Sequence, residues 1–218
     1  MPGRASTRSG PEAPRPAAVV VGASAGGLRA VRALLCGLPA SFAAPVIVVQ
    51  HLHARQDDFL VGWLDGQCAL PVREATDKLP VGSHSVWLAP PGYHLLIERE
   101  HRFALSIDAR VSCARPSIDV AFESAARVWR DGLVAVLLTG ANADGTAGLK
   151  QVRALGGLAL VQDPASAEHP TMPRAAIAAG AYDQVLSIPA IAALLVRRAG
   201  AERDAAHGPA PTNPDNRD

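Results

Sequence analysis

The chain has 218 residues, of which 49% are hydrophobic and 19% are charged, so it can bury one sizeable core and is predicted to be globular. Its 21 basic and 20 acidic residues leave a formal net charge of +1, which gives no general attraction to nucleic acid or to an anionic membrane. No stretch of the sequence approaches the roughly 20 apolar residues of a membrane span.

The cysteine pattern indicates the compartment. Cys36, Cys68 and Cys113 are odd in number, lie far apart and form no CxxC pair, which is typical of small buried side chains in a reducing environment. The apolar run after the N-terminal arginines is too short and too soon interrupted to be a signal sequence. We therefore expect a cytoplasmic protein without a metal site or a cofactor.

The two ends of the chain differ in composition from its middle. Residues 1–16 and 200–218 are rich in Pro, Gly, Ala and charge and have no apolar periodicity, so both are predicted to be disordered tails. Residues 17–199 are predicted to form a single domain.

Within that domain, hydrophobic runs that predict strands alternate with helical patterns. The predicted strands are 17–22, 45–50, 85–91, 93–98, 102–107, 133–140, 158–163 and 183–188. The predicted helices are about 25–37, 55–65, 117–130, 145–155, 173–179 and 189–199. The alternation predicts an α/β fold with a mostly parallel, doubly wound sheet covered on both faces, and the strands around "REHR" predict an antiparallel hairpin inserted in that sheet.

Three predicted strands end in residues that carry chemistry. The first runs into "GASAG", which has the G-x-S-x-G form of a nucleophile elbow around Ser24. The second ends at His51, and "LVAVLLTG" leads to Asp144. Because the carboxyl ends of parallel strands meet at one edge of a sheet, these three side chains are expected to lie close together, as a serine hydrolase requires.

Each residue would then have a distinct role. His51 would take the hydroxyl proton of Ser24 and return it to the leaving group, because an imidazole titrates near neutral pH. Asp144 would hold the correct tautomer of the ring and stabilise the imidazolium. The backbone N–H groups of Ala25 and of the loop at Ala141 would stabilise the oxyanion.

Every one of these residues has a purely structural alternative. Ser24 and Asp144 each precede a predicted helix and are well placed as N-caps, and His51 could end a strand without any chemical task. Two further residues compete for roles in the triad. His169 would complete the chain order of the α/β-hydrolases, and Asp163, at the end of another strand, is the second choice for the acid.

Other kinds of site have weaker support. His51-Leu52-His53 has the spacing of some metal sites but no convincing third and fourth ligands. A dinucleotide site is disfavoured because Ser24 replaces the middle glycine of G-x-G-x-x-G, and the second strand ends without the acid that holds a ribose. Leu28 follows "GASAGG", so a Walker lysine is also missing.

A set of motifs across residues 17–196 resembles the catalytic domain of the chemotaxis protein-glutamate methylesterases, the CheB-type esterases. In chain order these motifs are "VVVGASAGG", "VIVVQHL", "VWLAPPGYHL", "RPSIDVAFESAA", "AVLLTGANADGTAGL", "LVQDPASA" and "MPRAAIAAGAYDQVLSI". The resemblance implies a seven-stranded, largely parallel α/β/α sandwich. It also implies a serine esterase that removes methyl esters from glutamates on cytoplasmic helices of chemoreceptors and deamidates particular receptor glutamines.

Carried over by motif, the family's catalytic serine, histidine and aspartate correspond to Ser24, His51 and Asp144. The sequence departs from the family pattern beside them. Ala25 stands where a threonine is common, and Ala141 and Asn142 stand where methionine and glycine are usual. These departures leave the triad complete and bear on the shape of the oxyanion loop and on the fit of the substrate.

The resemblance also implies partners. A methyl-accepting chemotaxis receptor or a similar helical signalling protein is the expected substrate, with a separate response regulator or methyltransferase as a further partner. Family members usually carry a phosphorylatable receiver domain, whereas only 16 residues precede the first strand here, so we expect activity that is constitutive or controlled by another protein. The alternatives are a catalytically reduced binding domain on a chemosensory helix bundle and an esterase of small molecules.

Overall fold

A computed structural model of the protein describes residues 15–51 and 57–200. Nine strands lie in these ranges: β1 (Ala18–Ala23), β2 (Val46–Gln50), β3 (Val72–Glu74), β4 (Val86–Leu88), β5 (His94–Glu98), β6 (Arg102–Ser106), β7 (Leu133–Leu137), β8 (Leu158–Gln162) and β9 (Gln184–Leu186). Seven of them form one sheet in the order β3-β4-β2-β1-β7-β8-β9, and every neighbouring pair is parallel. The predicted parallel α/β architecture is thereby confirmed.

The register of the central strands places the predicted site residues at one edge of the sheet. β1 lies between β2 and β7, with Ala23 opposite Gln50 and Gly22 opposite Leu137. The chain segments that leave these three strands at their carboxyl ends are therefore direct neighbours.

In the same described ranges, six α-helices cover the sheet: α1 (Gly27–Leu35), α2 (Asp57–Asp65), α3 (Ile118–Trp129), α4 (Thr146–Ala154), α5 (Thr171–Ala178) and α6 (Ile188–Ala199). Successive residues of a strand point to opposite faces, so Val19 and Val21 belong to the core under α1, α2 and α6, whereas Val20 belongs to the core under α3, α4 and α5. This division produces the three predicted layers.

Two features of the strands differ from the expectation. The hairpin of β5 and β6 forms, but as a two-stranded sheet of its own rather than as part of the parallel sheet. It packs on α3, where Leu95 and Phe103 are buried in the same core and the Ile97 N–H donates to Ser124 Oγ at 3.1 Å. The edge strand β3 was not predicted, because it is three residues long and only Val72 is buried.

The predicted tails lie almost wholly outside the described residues, so the limits 17–199 of the domain stay a prediction. None of the helices in the described ranges is both long enough and apolar enough to cross a membrane. All three cysteines are free thiols. The expectation that they are buried is wrong for Cys36 and Cys113, which are exposed, because they lie at the end of α1 and in the loop before α3.

Candidate active site

Ser24 lies in the tight turn between β1 and α1. Its backbone N–H donates to Thr139 O at 3.0 Å, and the Gly27 N–H donates back to Ser24 O at 2.8 Å. Gly26 makes the turn with φ of 72°, and a Cβ at that position would lie 2.9 Å from Cβ of Glu168. Gly26, not Ser24, is the N-cap of α1. The structure therefore leaves the Ser24 hydroxyl out of helix capping.

His51 follows β2 directly and lies beside the serine turn. Its backbone N–H donates to Ala23 O at 3.0 Å, which continues the pairing of β1 with β2 by one residue. The imidazole is 14% exposed, and its Nδ1 lies 3.1 Å from Ser24 Oγ. The histidine at the end of this strand thus contacts the serine hydroxyl.

Asp144 occupies the other side of the imidazole. Its side chain is fully buried, and its Oδ2 lies 2.8 Å from His51 Nε2. The aspartate does not cap the helix that follows it, because Gly145 is the N-cap of α4. Ser24, His51 and Asp144 therefore form a continuous hydrogen-bonded line across three neighbouring strand ends.

The start of α3 supplies three of the other hydrogen bonds to the Asp144 carboxylate. The Ile118 N–H donates to Oδ2 at 2.7 Å, and Oδ1 accepts from Ser117 Oγ at 2.9 Å and from the Asp119 N–H at 3.1 Å. The Gly145 N–H adds a fourth such donor at 3.1 Å. A carboxylate suits this position because it only accepts hydrogen bonds and carries the charge that a helix N-terminus favours.

These contacts determine the charge of Asp144. Burial by itself raises the pKa of the carboxyl, but the hydrogen bonds from His51 and from the backbone N–H groups of Ile118 and Asp119 outweigh that effect, so its pKa lies below the ordinary value. An ionised Asp144 accepts from His51 Nε2–H, which leaves the Nδ1 lone pair to accept the Ser24 hydroxyl proton. The arrangement is that of a base poised against a nucleophile.

The sequence did not reveal Gln50 as a contact of this site. Its buried amide Nε2 donates to both Ser24 O at 2.8 Å and His51 O at 3.0 Å, so one side chain ties the serine turn to the end of β2. Glycine at position 27 leaves room for this amide, because a Cβ there would clash with Gln50 Oε1 and would lie 2.9 Å from Ala23 Cβ. The only sequence signal was a polar residue ending an otherwise apolar strand.

Asp119 is a second buried carboxyl that the sequence analysis missed. It is 8% exposed, and its Oδ1 accepts from the Gly148 N–H at 2.7 Å. Burial raises its pKa to about 6, and the neighbouring charge of Asp144 also raises it, while the hydrogen bond from Gly148 lowers it. In the sequence, an acid in the first turn after Ser117 indicates only a helix start.

Asp119→Asn is expected to increase the free energy of unfolding at pH 7.5 by about 1 to 2 kcal/mol. The folded-state pKa of about 6 lies above the ordinary value of 3.8. The folded protein therefore holds more protons than the unfolded chain between these values, and stability falls as pH rises through this window. Asparagine removes the charge and keeps an oxygen for the Gly148 N–H.

Urea unfolding at pH 4 and pH 7.5 measures this effect, with the exposed Glu100→Gln as the matched control. The difference between Asp119→Asn and the unsubstituted protein should grow from pH 4 to pH 7.5, and the control should show no such growth. A variant destabilised equally at both pH values would contradict the expectation.

The two competing residues lie elsewhere. Asp163 Oδ1 accepts from the Ala165 N–H at 2.9 Å and caps the short 3-10 helix after β8. The His169 backbone contacts Thr139 and Gly140, and its ring lies 3.8 Å from Glu168 Oε1. Neither residue joins the line through His51.

The predicted oxyanion donors stay a prediction. Neither Ala25 nor Ala141 donates its N–H to an acceptor among the described residues, so both groups are available to a substrate oxygen. Ala25 lines the cleft at Ser24, whereas the loop after β7 contributes Asn142 to that lining. The Asn142 side chain accepts from the Asp144 N–H at 3.2 Å and so shapes this loop.

Ser24 and His51 open into a cleft of about 420 Å³. Its other lining residues are Ala25, Gly92, Asn142 and residues 110 and 112–116 of the loop before α3. Within residues 15–51 and 57–200, no cluster of three or more His, Cys, Asp or Glu side chains is arranged to hold a metal ion. His53 of the H-x-H pair lies outside these ranges.

Comparisons with known proteins agree on one family. The sequence model of the family described as CheB methylesterase matches residues 19–195. A protein of Leptospira interrogans is 48% identical over 180 residues, which cover 83% of this chain and 93% of that protein. Protein-glutamate methylesterase/protein-glutamine glutaminase 1 of Cupriavidus pinatubonensis is 42% identical over 179 residues, which cover 82% of this chain and 52% of that protein.

The fold is similar to that of a solved member of the same family. The crystal structure of the Thermotoga maritima CheB methylesterase catalytic domain matches with a TM-score of 0.81 and 32% identity. The match covers 84% of this chain and 98% of the Thermotoga chain.

Proposed function

Because this chain belongs to the CheB methylesterase family, we propose that it hydrolyses glutamate γ-methyl esters on the cytoplasmic helices of a chemoreceptor and releases methanol. The names of its relatives include a second activity, protein-glutamine glutaminase, so deamidation of receptor glutamines is part of the proposal. The observation that carries it is the hydrogen-bonded line from Ser24 through His51 to the buried Asp144.

In the first half of the reaction, Ser24 Oγ attacks the ester carbonyl carbon while His51 Nδ1 takes the hydroxyl proton. The negative charge that develops on the carbonyl oxygen is stabilised by N–H groups at the predicted positions, Ala25 and Ala141. His51 then gives its proton to the methoxy oxygen, the carbon–oxygen bond breaks, and methanol leaves an acyl-serine.

In the second half, water attacks the acyl-serine. His51 takes a proton from that water and returns it to Ser24 Oγ, which frees the enzyme and leaves a glutamate carboxylate on the substrate. With glutamine, the same steps release ammonia in place of methanol. Both activities then depend on one set of residues.

Asp144 makes His51 effective in both halves. Its carboxylate accepts from Nε2–H, so the ring presents Nδ1 to the serine and its positive charge is stabilised when it is protonated. The donors at the start of α3 fix the carboxylate in one orientation. The acid therefore needs no rearrangement during the reaction.

The central test is methanol release from a methylated chemoreceptor fragment, run beside hydrolysis of a small neutral ester and labelling with a fluorophosphonate. We expect methanol release and covalent labelling at Ser24. Hydrolysis of the small ester alone would favour a small-molecule esterase. The absence of both turnover and labelling would favour a binding module and would overturn the proposal.

We place this reaction in the cytoplasm, where the substrate helices of chemoreceptors lie. The three free thiols at Cys36, Cys68 and Cys113 support a reducing compartment. A response regulator or a methyltransferase of the same signalling system is the proposed further partner.

A further inference from the structure

The loop of residues 107–116 between β6 and α3 forms part of the cleft at Ser24. Val111 and Ala114 exchange backbone hydrogen bonds of 3.2 and 2.8 Å, which close a tight turn at the tip of the loop. The loop leads directly into Ser117, whose hydroxyl donates to Asp144. Its position is therefore tied to that of the proposed triad.

Arg115 holds the base of this loop. Its Nη1 donates to Ile107 O at 2.6 Å and to Asp108 O at 3.0 Å, so the guanidinium spans the loop from one end to the other. Both acceptors are backbone carbonyls, and no carboxylate of residues 15–51 and 57–200 forms an ion pair with its positive charge. Its Nε is buried and has no acceptor among the described residues.

Arg110 is a second cation of the same loop. It lines the cleft together with Ser24 and His51, and neither Arg110 nor Arg115 lies within 4 Å of a carboxylate in the part of the chain that the structure describes. No acidic residue of those ranges lines this cleft, whereas Arg29 and Glu168 line a second cleft that also opens at Ser24 and His51. Asp108 belongs to the loop but not to the lining.

An arginine with free donors in a cleft is suited to a carboxylate, which it binds through two parallel hydrogen bonds. The proposed substrate is a helix, and residues three or four positions apart on a helix lie about 5 to 6 Å apart on the same face. A glutamate one turn from the methyl ester can thus enter the same cleft as the ester.

We propose that Arg110, supported by Arg115, forms a subsite for a second carboxylate of the substrate helix, about one turn from the glutamate that is being hydrolysed. The inference rests on the proposed function, because it names the substrate that the same site prefers. The enzyme then selects esters flanked by a free acid, and methylation or amidation of the flanking glutamate slows hydrolysis of its neighbour.

Binding tests the subsite without turnover. The test uses two helical peptides, each with one glutamate methyl ester; the residue four positions away is Glu in one peptide and Gln in the other. Fluorescence anisotropy measures the binding of each peptide to the Ser24→Ala protein. We expect the Glu peptide to bind about tenfold more tightly, and adding Arg110→Ala to remove the difference. Equal binding of the two peptides to the Ser24→Ala protein would overturn the subsite whatever the enzyme hydrolyses.

Turnover gives the second measurement. Arg110→Ala is expected to raise KM for the Glu peptide about tenfold, to change kcat less than threefold, and to leave the Gln peptide and a small neutral ester unaffected. Arg99→Ala removes an exposed arginine that does not line this cleft and serves as the charge-matched control. An equal loss on both peptides and the small ester would show a damaged site and overturn a role specific to the flanking acid.

Discussion

Ser24→Ala is expected to lower the rate of methanol release at least ~10³-fold, because only binding and oxyanion stabilisation remain when a triad nucleophile is removed. Among the described residues the hydroxyl has one side-chain hydrogen-bond partner, His51 Nδ1, and it does not cap α1. The turn is held instead by backbone groups and by the Gln50 amide. The fold and its melting temperature should therefore change little.

The measurement is methanol release at saturating methylated receptor fragment, with circular dichroism to verify the fold. Ser112→Ala is the matched control, since Ser112 lines the same cleft and its hydroxyl has no hydrogen bond among the described residues. That variant should stay within about twofold of the unsubstituted protein. Near-normal turnover of a folded Ser24→Ala protein would refute the assignment of the nucleophile.

Asp144→Asn is expected to lower kcat/KM by about 10³- to 10⁴-fold. An amide has one acceptor and one donor end, whereas His51 Nε2–H and the N–H groups at the start of α3 all need acceptors. An amide nitrogen in the place of Oδ2 would turn the imidazole to the wrong tautomer and leave the Ile118 N–H without an acceptor, and in the place of Oδ1 it would leave the Asp119 N–H without one. Both orientations therefore also cost stability.

Kinetics and unfolding together separate these effects. The pKa of Asp144 is lowered in the folded state, so its stabilising contribution is present above the unfolded value and disappears as pH falls through the folded one. The variant should therefore lose more stability at pH 7 than at pH 3. Asp163→Asn is the control and should keep its activity, because Asp163 caps a turn outside the site. Loss of activity in Asp163→Asn with normal activity in Asp144→Asn would reverse the choice of acid.

The sequence by itself determined the architecture and the three residues of the candidate triad. The apolar runs at 17–22, 45–50 and 133–140 correspond to β1, β2 and β7, in which every residue is buried, and such runs can be recognised because burial on both faces of a sheet disfavours polar residues. Parallel connections then place the residues after these strands at one edge. Ser24, His51 and Asp144 were therefore predicted to meet without knowledge of the strand order.

Short or weakly apolar elements could not be predicted in the same way. β3 has one buried residue and is held at the edge of the sheet by β4, so its pairing rather than its own pattern makes it a strand. The hairpin was recognised from its turn, but its separate packing on α3 depends on which surface of the core was left uncovered.

Only the tertiary structure decided how the site is held together. The choice of Nδ1 as the atom facing Ser24, the donors from the start of α3 to Asp144, and the clamp by Gln50 all join residues that lie far apart in the chain. Periodicity and turn motifs give information only about residues that lie within a few positions of one another in the sequence. The orientation of a ring or a carboxylate is set by the hydrogen-bond donors and acceptors that pack beside it. The order of the strands and the placement of α3 determine which donors and acceptors these are.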